Sequence, residues 1–526
     1  MLILRNINIP LDFNGDYKSA CAAELRTSSD NIAMLRIIRK SVDARKKYDI
    51  HFVYSFEICV NNDEQRIIRG CKKAESAIID EQDSFMPARD EKKTAPIIIG
   101  SGPAGIFCAL ELIAYGYRPI LIERGKPVNE RTDDVELFWK NGKLNTSSNV
   151  QFGEGGAGTF SDGKLNTGTN SPFRMKVLRT FVKFGAPEDI LYDAEPHIGT
   201  DLLRNVIENI RAYIVKNGGK YLFSSQLVDF DLSNGRVASV RIKNGDDVQK
   251  IDCDSVVLAI GHSARDTFEM LRRRGVAMEA KPFSVGVRIE HLQSDINKAR
   301  YGSMYANPAL SAASYRLSSH VNGRGVYTFC MCPGGVVVNA ASEENSVVTN
   351  GMSYRARDLT NANSAVLVGV TPDDFGSDDP LAGVRFQRSI EQKAYLINNM
   401  YKAPAQSLAD YKDKRITTRF DGVQPSCKGG VTACDINDIL PEYVNAAIKL
   451  GIADFGCKIK GFDNGDAVLT APETRSSSPV RIVRDDSFQS NIDGLYPCGE
   501  GAGYAGGITS SAVDGIRVAR AIMAKR

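Results

Sequence analysis

A chain of 526 residues has room for about three domains and a large buried core. Its composition, 43% hydrophobic and 25% charged with no segment dominated by one polar residue type, excludes disordered, collagenous and repeat proteins. The 66 basic and 63 acidic residues leave a formal charge of +3, which predicts no electrostatic capture of nucleic acid or of an acidic membrane.

Other compositional features concern location and metals. The first residues lack the basic and apolar pattern of a signal peptide, and the longest uncharged stretches are broken by Gly and Pro. Eleven cysteines, an odd number, fit reduced thiols better than a disulfide framework. The five histidines are far apart, and no Cys-x-x-Cys pair is present. We therefore expect a cytoplasmic protein without a membrane span or a metal site, and its oligomeric state stays open.

Residues 1–90 are predicted to form a small separate unit. Apolar and polar residues alternate from Ile50 to Val60, which is the period of a half-buried strand. A further strand-like segment and two segments with helical spacing surround it: Leu35–Asp43, Tyr17–Arg26 and Asp63–Ala77. The resulting β-α-β-β-α order indicates a ferredoxin-like α+β module. The charged segment Asp80–Thr94 is the expected linker to the rest of the chain.

A glycine-rich turn opens the next predicted domain, which begins at residue 91. The apolar run Pro96–Ile99 leads into Gly100-Ser-Gly-Pro-Ala-Gly105, and helical spacing follows. Here Gly100 permits a tight turn, Gly102 lets the backbone approach a pyrophosphate, and Gly105 allows a helix to pack closely on a strand. Glu123 ends the next apolar run, 21 positions after Gly102, where it can accept hydrogen bonds from a ribose. These flanking features favour a dinucleotide site over an ordinary glycine-rich turn.

The segments after this first unit do not continue as regular βαβ repeats. Three β-rich runs between Gln226 and Asp252 are separated by the turn dipeptides Asn234-Gly235 and Asn244-Gly245, which predicts an antiparallel meander. A buried strand, Ser255–Gly261, closes it. A meander inserted at this place resembles the FAD-binding flavoproteins of the glutathione-reductase superfamily.

A second glycine-rich turn, Gly494–Gly507, leads into a predicted helix at the C-terminus. In the flavoproteins just named, the acid at the position of Glu500 holds the ribitol chain, and the following helix points its N-terminus at the flavin. The partial positive charge of that terminus stabilises the anionic reduced flavin. The expected fold is α/β. A Rossmann-type FAD-binding domain with an inserted meander (91–264 and 471–526) accompanies a mixed α+β substrate domain (265–470) and the N-terminal module.

The whole chain is similar to a family described as NAD(FAD)-utilizing, FAD-dependent dehydrogenases, whose members carry an extra N-terminal domain. The matching segments are Lys40–Lys47, Asn149–Lys164, Gly261–Asp266, Phe329–Gly335, Asn350–Tyr354 and the Glu500 turn. Ser101 and Ser476 depart from the family, which usually has Ala and Thr there. Neither departure removes a group that the cofactor needs. The resemblance implies FAD as the cofactor more firmly than it implies any substrate.

The resemblance and the glycine-rich segments together give a set of expected FAD contacts. Asn149–Lys164 is expected to lie along the pyrophosphate and the isoalloxazine ring, in preference to being a plain surface loop. The expected cofactor-binding residues are Gly100, Gly102, Pro103, Ala104, Gly105, Glu123, Arg124, Gly155, Gly156, Thr159, Val228, Ala259, Gly261, Gly499, Glu500, Gly507 and Ile508.

Four residues near these segments are candidates for catalysis. Cys332, in Cys330-Met-Cys332, is the sharpest redox candidate, although alternate residues of a strand hold two thiols too far apart for easy bridging. A buried structural cysteine is the alternative. His262, Arg265 and Arg475 flank the predicted flavin segments, and the two arginines can hold a substrate carboxylate or phosphate. Salt bridges within the domain are the alternative for them.

The sequence therefore predicts an oxidoreductase in which noncovalent FAD exchanges a hydride with a small, anionic organic substrate or with transient NAD(P)H. Of the three Gly-x-Gly-x-x-Gly sequences, only Gly100–Gly105 directly follows an apolar strand-like run and opens a helix, so no second Rossmann domain is expected to hold a nicotinamide dinucleotide. The alternative is a flavin-binding protein with an interaction or RNA-associated role, suggested by the N-terminal module and its basic segment Arg45–Lys47. Substrate, electron donor and electron acceptor are left open.

Overall fold

The computed structural model describes residues 1–77, 85–86, 95–166, 168 and 170–525. The predicted linker Asp80–Thr94, apart from residues 85–86, and the predicted boundary at residue 90 lie outside the described residues. The chain divides into two units. One comprises Met1–Met86, Pro187–Pro196 and Asn297–Ala313, and the other comprises the remaining residues. In the described ranges, no helix combines the length and the apolar character that a membrane crossing requires.

The first unit contains a four-stranded antiparallel sheet in the order β2-β3-β1-β4. Its strands and helices are β1 (Leu2–Pro10), α1 (Tyr17–Leu25), β2 (Ile32–Asp43), β3 (His51–Val60), α2 (Glu64–Gly70) and β4 (Ala74–Ser76). The predicted β-α-β-β-α order is present, but helical spacing over Asp63–Ala77 overestimated the second helix. The chain leaves α2 after Gly70 because β4 pairs with the free edge of β1.

The remaining strands are β5 (Ile97–Ile99), β6 (Ile120–Ile122), β7 (Lys220–Leu222), β8 (Gln226–Ser233), β9 (Arg236–Asn244), β10 (Asp247–Asp252), β11 (Val256–Leu258), β12 (Met278–Ala280), β13 (Phe283–Leu292), β14 (Ser318–Val321), β15 (Arg324–Cys332), β16 (Val336–Asn339), β17 (Thr349–Met352), β18 (Asn361–Val370), β19 (Ala403–Ser407), β20 (Val431–Ala433), β21 (Val468–Glu473), β22 (Val480–Ile482) and β23 (Leu495–Pro497). The remaining helices are α3 (Pro103–Ala114), α4 (Val128–Asn141), α5 (Phe173–Lys183), α6 (Thr200–Lys216), α7 (Arg265–Arg273), α8 (Gln293–Tyr301), α9 (Ala382–Leu396), α10 (Leu408–Asp413), α11 (Glu442–Lys458) and α12 (Ile508–Lys525).

A five-stranded parallel sheet in the order β23-β11-β5-β6-β7 forms the base of the second unit. Its central strands are short apolar runs such as Ile97–Ile99 and Val256–Leu258, and they are buried completely or nearly so. Continuous apolar character is typical of parallel strands that are covered on both faces. The sheet brings the chain that follows β5, β6, β11 and β23 to one edge, where the glycine-rich turns lie.

The meander predicted between Gln226 and Asp252 is present as β8, β9 and β10, in the order β10-β9-β8. Its first turn has Asn234 at φ 51° and Gly235 at φ 77°. Two successive residues with positive φ match the twist of an antiparallel hairpin, which explains the Asn-Gly signal in the sequence.

A seven-stranded sheet in the order β14-β15-β18-β13-β21-β19-β20 occupies much of the predicted substrate region. β13 and β18 pair antiparallel along their whole lengths and are buried almost throughout. α11 packs against β13, β14, β15 and β18. Residues of the predicted FAD-binding and substrate domains thus fall within the same unit.

Candidate functional site

The turn from Gly100 to Gly105 contains two glycines at positions of close backbone packing. Gly100 has φ 100°, and a Cβ there would lie 2.2 Å from the carbonyl oxygen of Ala259. A Cβ on Gly105 would lie 2.0 Å from the oxygen of Gly100, so α3 packs directly on the turn. At Gly102 the only atom within 4 Å of a Cβ, among the described residues, is Gly156 Cα at 3.7 Å. Gly100 and Gly105 are therefore required by packing, whereas Gly102 borders open space.

Three glycine-rich segments converge at this turn. A Cβ on Gly156 would lie 3.0 Å from Gly102 Cα, and one on Gly158 would lie 3.0 Å from the side chain of Ile508. A Cβ on Gly499, which precedes Glu500, would lie 2.7 Å from the Cβ of Ala104. Segments 100–105, 153–158 and 499–508, predicted separately from sequence, are thus in mutual contact.

The N-termini of α3 and α12 lie together because the two helices pack backbone against backbone. A Cβ on Gly515 of α12 would lie 2.1 Å from the oxygen of Ala104 in α3. No side chain of the described residues caps α3, and neither helix has an acidic residue in its first turn. Uncapped helix N-termini attract anions through their free amides and partial positive charge. This donor set fits the pyrophosphate and the reduced ring of a flavin dinucleotide.

Glu123 holds two of the glycine-rich segments together. Its Oε2 accepts hydrogen bonds from the Ser101 amide at 2.9 Å and the Ser101 hydroxyl at 2.8 Å. Its Oε1 accepts from the amides of Gly125 at 2.9 Å and Gly153 at 3.1 Å. Ser101, one of the departures from the family pattern, thus adds a hydroxyl donor to this carboxylate. The Glu123 carboxylate, predicted as a ribose contact, thus fixes the turns around it.

Arg131 is a fully buried organiser of the second segment that sequence reasoning missed. Its guanidinium donates to carbonyl oxygens of five residues of the loop: Asn149 at 2.8 Å, Val150 at 3.0 Å, Gly153 at 3.3 Å, Glu154 at 2.6 Å and Gly156 at 2.9 Å. Burial lowers the pKa of Arg131 to about 10. The detectable signal was its place on the apolar stripe of α4, between Val128 and Val135.

Asp514 supports the third segment and was also missed. It accepts a hydrogen bond from the Gly499 amide at 2.7 Å and forms a two-point ion pair with Arg484 at 2.7 and 2.9 Å. Both side chains of this pair are 8% exposed. Because Arg484 also donates to the oxygen of Pro497 at 2.8 Å, the pair fixes the turn between β23 and Glu500.

Glu500 and His262 lie next to each other where two turns meet. A Cβ on Gly501 would be 2.6 Å from the oxygen of Gly261, and His262 Nδ1 is 3.6 Å from Glu500 Oε1. Burial raises the pKa of Glu500 to about 7, against the opposing effect of the Lys281 ammonium. Burial, with the nearby cations Arg475 and Arg265, lowers the pKa of His262 to about 3. His262 is therefore a neutral imidazole beside the carboxyl group of the flavin turn.

Arg265 and Arg475 are not available to bind a substrate anion, which corrects the expectation for both. Each forms a two-point ion pair with the same buried carboxylate, Glu391. The distances are 2.8 and 2.8 Å for Arg265, and 3.1 and 2.9 Å for Arg475. Arg265 also contacts Glu343 and Gln387, and Arg475 donates to the hydroxyls of Ser263 and Ser342. The alternative interpretation, salt bridges within the domain, is the one that the structure shows.

Of three other expected cofactor contacts, two make hydrogen bonds or ion pairs within the protein and the third lies at a strand bulge. Arg124 pairs with Asp266 at 2.9 and 3.1 Å and lies 4.3 Å from the ring of Phe152, so its guanidinium is already engaged. Thr159 is fully buried, and its hydroxyl points to the oxygen of Glu154 at 3.4 Å. Val228 is half-buried at a bulge of β8. β8 begins beside Glu123, because the Ser225 amide donates to the backbone carbonyl oxygen of Glu123 at 2.9 Å.

Cys332 is fully buried at the end of β15, while Cys330 is half-buried. Arg288, itself fully buried, lies beneath them, with Nη1 3.1 Å from the Cys330 oxygen and 4.0 Å from Cys332 Sγ. Its other interactions are a two-point pair with Glu473 and hydrogen bonds to Asn350 and Asn363. The more accessible thiol is therefore Cys330, whereas the predicted redox candidate Cys332 is buried.

Several solved flavoproteins have a distantly similar fold. A triple mutant of the flavin-dependent brominase Bmp2 is 13% identical with a TM-score of 0.40, covering 82% of this chain and 81% of that one. A point mutant of FrdA from E. coli quinol fumarate reductase is 12% identical with a TM-score of 0.38, covering 82% and 70%. A flavoprotein/dehydrogenase from Cytophaga hutchinsonii is 11% identical with a TM-score of 0.33, covering 81% and 76%. These similarities are too weak to transfer an activity.

Sequence comparison gives firmer relationships. Residues 282–476 match the family model "FAD-dependent protein, C-terminal domain-like", and residues 1–59 match a domain of unknown function, DUF8436. A Clostridium beijerinckii protein named only as uncharacterized is 49% identical over 99% of this chain and 98% of its own length. The chain belongs to the same protein family as that clostridial protein, is a FAD-dependent protein, and has FAD as its cofactor.

Proposed function

We propose that the protein is an oxidoreductase in which noncovalent FAD exchanges a hydride with a small, anionic organic substrate or with transient NAD(P)H. The observation that carries this proposal is the convergence of segments 100–105, 153–158 and 499–508 with the N-termini of α3 and α12, neither of which has an acidic residue in its first turn. Bound FAD supplies the hydride chemistry, and the protein supplies binding, orientation and electrostatics. The role of the glycine-rich turns is to let the backbone approach the cofactor.

With Arg265 and Arg475 engaged, the candidate anion-binding groups are two lysines. The half-buried Lys281 lies within electrostatic range of Glu500, and burial lowers the pKa of this lysine. In the part of the chain that the structure describes, its ammonium group has no hydrogen-bond partner. Lys164, in the second glycine-rich loop, donates to the oxygen of Met331. We infer that Lys281 is the group that attracts a carboxylate or a phosphate toward the flavin turn.

An open cavity of about 620 Å³ adjoins this region. Ser284, Tyr327 and Ser477 contribute to its lining, and the hydroxyls of Tyr327 and Ser284 are 2.8 Å apart. Ser478, which follows Ser477, donates toward the oxygen of Gly501 in the flavin turn at 3.2 Å. A cavity of this size suits a small organic molecule. We propose it as the entry for the substrate.

Anaerobic mixing of the holoprotein with electron donors tests the proposal. NADH, NADPH and a set of small organic acids and alcohols are added separately, and bleaching of the flavin absorbance is followed. We expect an organic donor to bleach the flavin with saturation. A nicotinamide dinucleotide is expected to bleach it slowly and without saturation, because only one Gly-x-Gly-x-x-Gly, Gly100–Gly105, directly follows a strand as a pyrophosphate-binding turn does.

Lys281→Met is expected to slow bleaching by an anionic donor without loss of FAD, while Lys460→Met, at an exposed position, changes nothing. If no donor bleaches the bound flavin, the proposal is wrong and a binding role for the flavoprotein gains support. Rapid, saturating bleaching by NADH or NADPH would instead reveal a nicotinamide site outside the predicted turn.

A further inference from the structure

A bulge at the end of β15 changes the geometry of Cys330-Met331-Cys332. The pairing of β15 with β18 shifts register between Phe329 and Cys332, and Cys330 has φ 42°. A regular strand would point both side chains to the same face, about two residue rises apart. The extra residue of the bulge bends the strand, and Cys332 Sγ donates a hydrogen bond to the backbone oxygen of Cys330 at 3.3 Å. The spacing argument against a Cys-x-Cys disulfide therefore does not apply here.

The surroundings shift the pKa values of the two thiols in opposite directions. The neighbouring Cys332 thiol, together with Arg288 and Lys164 and against the effect of burial, lowers the pKa of Cys330. The Cys330 thiol and burial raise the pKa of Cys332 well above its usual value. Cys330 is thus the more exposed and the more readily deprotonated thiol, and Cys332 is the buried one. A thiolate next to a thiol is the arrangement from which a disulfide forms.

The pair belongs to the flavin site. Lys164, whose ammonium group contacts the oxygen of Met331, is part of the second glycine-rich loop. The next residue, Leu165, accepts a hydrogen bond at 2.8 Å from the hydroxyl of Thr509 in the first turn of α12. Cys330 is also one of the groups that, after burial, raise the pKa of Glu500. Cys330 is therefore linked to both turns that face the cofactor.

We propose that Cys330 and Cys332 are a dithiol–disulfide pair that exchanges two electrons with FAD. On oxidation the pair loses its thiol proton to solvent, the S–S bond forms, and the two electrons pass with a proton from solvent to FAD. Reduction of the pair is the reverse, so no further reactant is required. The inference rests on the flavin site of the proposed function but not on its substrate.

Anaerobic titration of the oxidised holoprotein with dithionite measures directly how many electrons the protein accepts. We expect the wild type to take up about twice the reductant that its FAD content accounts for, because one disulfide and one flavin each accept two electrons. Cys330→Ser and Cys332→Ser are expected to return the uptake to that of FAD alone. Cys457→Ser, at an exposed cysteine elsewhere, is expected to keep the doubled uptake.

Peptide mass spectrometry provides a readout that is independent of the flavin. No Lys or Arg lies between Arg324 and Arg355, so trypsin leaves both cysteines, and no others, in the peptide 325–355. In the oxidised holoprotein this peptide is expected to be two hydrogens lighter and to resist alkylation until it is reduced. Uptake by FAD alone, or two freely alkylated cysteines in the oxidised protein, would overturn the inference. A disulfide that survives full flavin reduction would overturn it as well. Since dithionite replaces the donor, these outcomes are distinct from a failure to find a substrate.

Discussion

Glu391→Ala is expected to destabilise the fold by about 3–5 kcal/mol, the cost of leaving buried charges without their partner. Glu391 is fully buried and binds both Arg265 and Arg475, which are 1% and 7% exposed. Burial alone would raise the pKa of Glu391, but the two guanidinium groups hold it well below its usual range. Thr474 adds a hydrogen bond at 2.7 Å. Removing this single carboxylate leaves two buried guanidinium groups without their shared partner.

Urea unfolding followed by far-UV circular dichroism measures the effect. Glu344→Ala, at an exposed neighbouring position, is the matched control and is expected to change stability by less than about 0.5 kcal/mol. Glu391→Gln should be intermediate, since it keeps acceptor capacity and loses the charge. A carboxylate with a depressed pKa stabilises the fold above its unfolded-state pKa, and this contribution is lost as the pH falls through the folded-state value. The difference between wild type and Glu391→Gln should therefore shrink only in strong acid. Equal stability of Glu391→Ala and wild type would show that the network is unimportant.

Gly102→Val is expected to abolish FAD binding while leaving the chain folded. A Cβ at this position meets only Gly156 Cα, at 3.7 Å, among the described residues, so the first carbon of the side chain enters the space between two glycine-rich backbones without a clash. That space is where a pyrophosphate would contact the N-terminus of α3. FAD content after purification and the urea midpoint are both measured.

Gly70→Val is the control for Gly102→Val, because a Cβ on Gly70 has no atom of the described chain within 4 Å and Gly70 has no positive φ. It should retain FAD. Gly105→Val is the opposite case: its Cβ would lie 2.0 Å from the oxygen of Gly100, so it should fail to fold normally. A Gly102→Val protein with full FAD content would place the pyrophosphate elsewhere.

Features set by neighbouring residues in the chain could be predicted from sequence. The glycine-rich turns and the Asn234-Gly235 hairpin depend on local backbone conformation, so their positions in the sequence were sufficient to locate them. The second helix of the N-terminal unit was overestimated because β4 forms through pairing with β1, a contact that helical spacing does not encode. Tertiary pairing overrode the local pattern there.

Features set by distant partners could not be predicted. Arg265 and Arg475 were predicted as anion-binding candidates, but their shared partner in the structure, Glu391, lies 126 and 84 residues away in the chain. The bulge that joins Cys330 to Cys332 results from the pairing of β15 with β18. Arg131 shows the one missed signal that was available, since a charged residue on an apolar helix stripe predicts a buried partner.

The cofactor content of the purified protein tests the central claim most directly. The protein is denatured, separated from its small molecules and analysed by chromatography against FAD and FMN. We predict a yellow protein that releases a stoichiometric amount of FAD and leaves a colourless polypeptide, as expected for noncovalent binding at the glycine-rich turns. A colourless protein that gains no flavin absorbance when incubated with FAD would contradict the account.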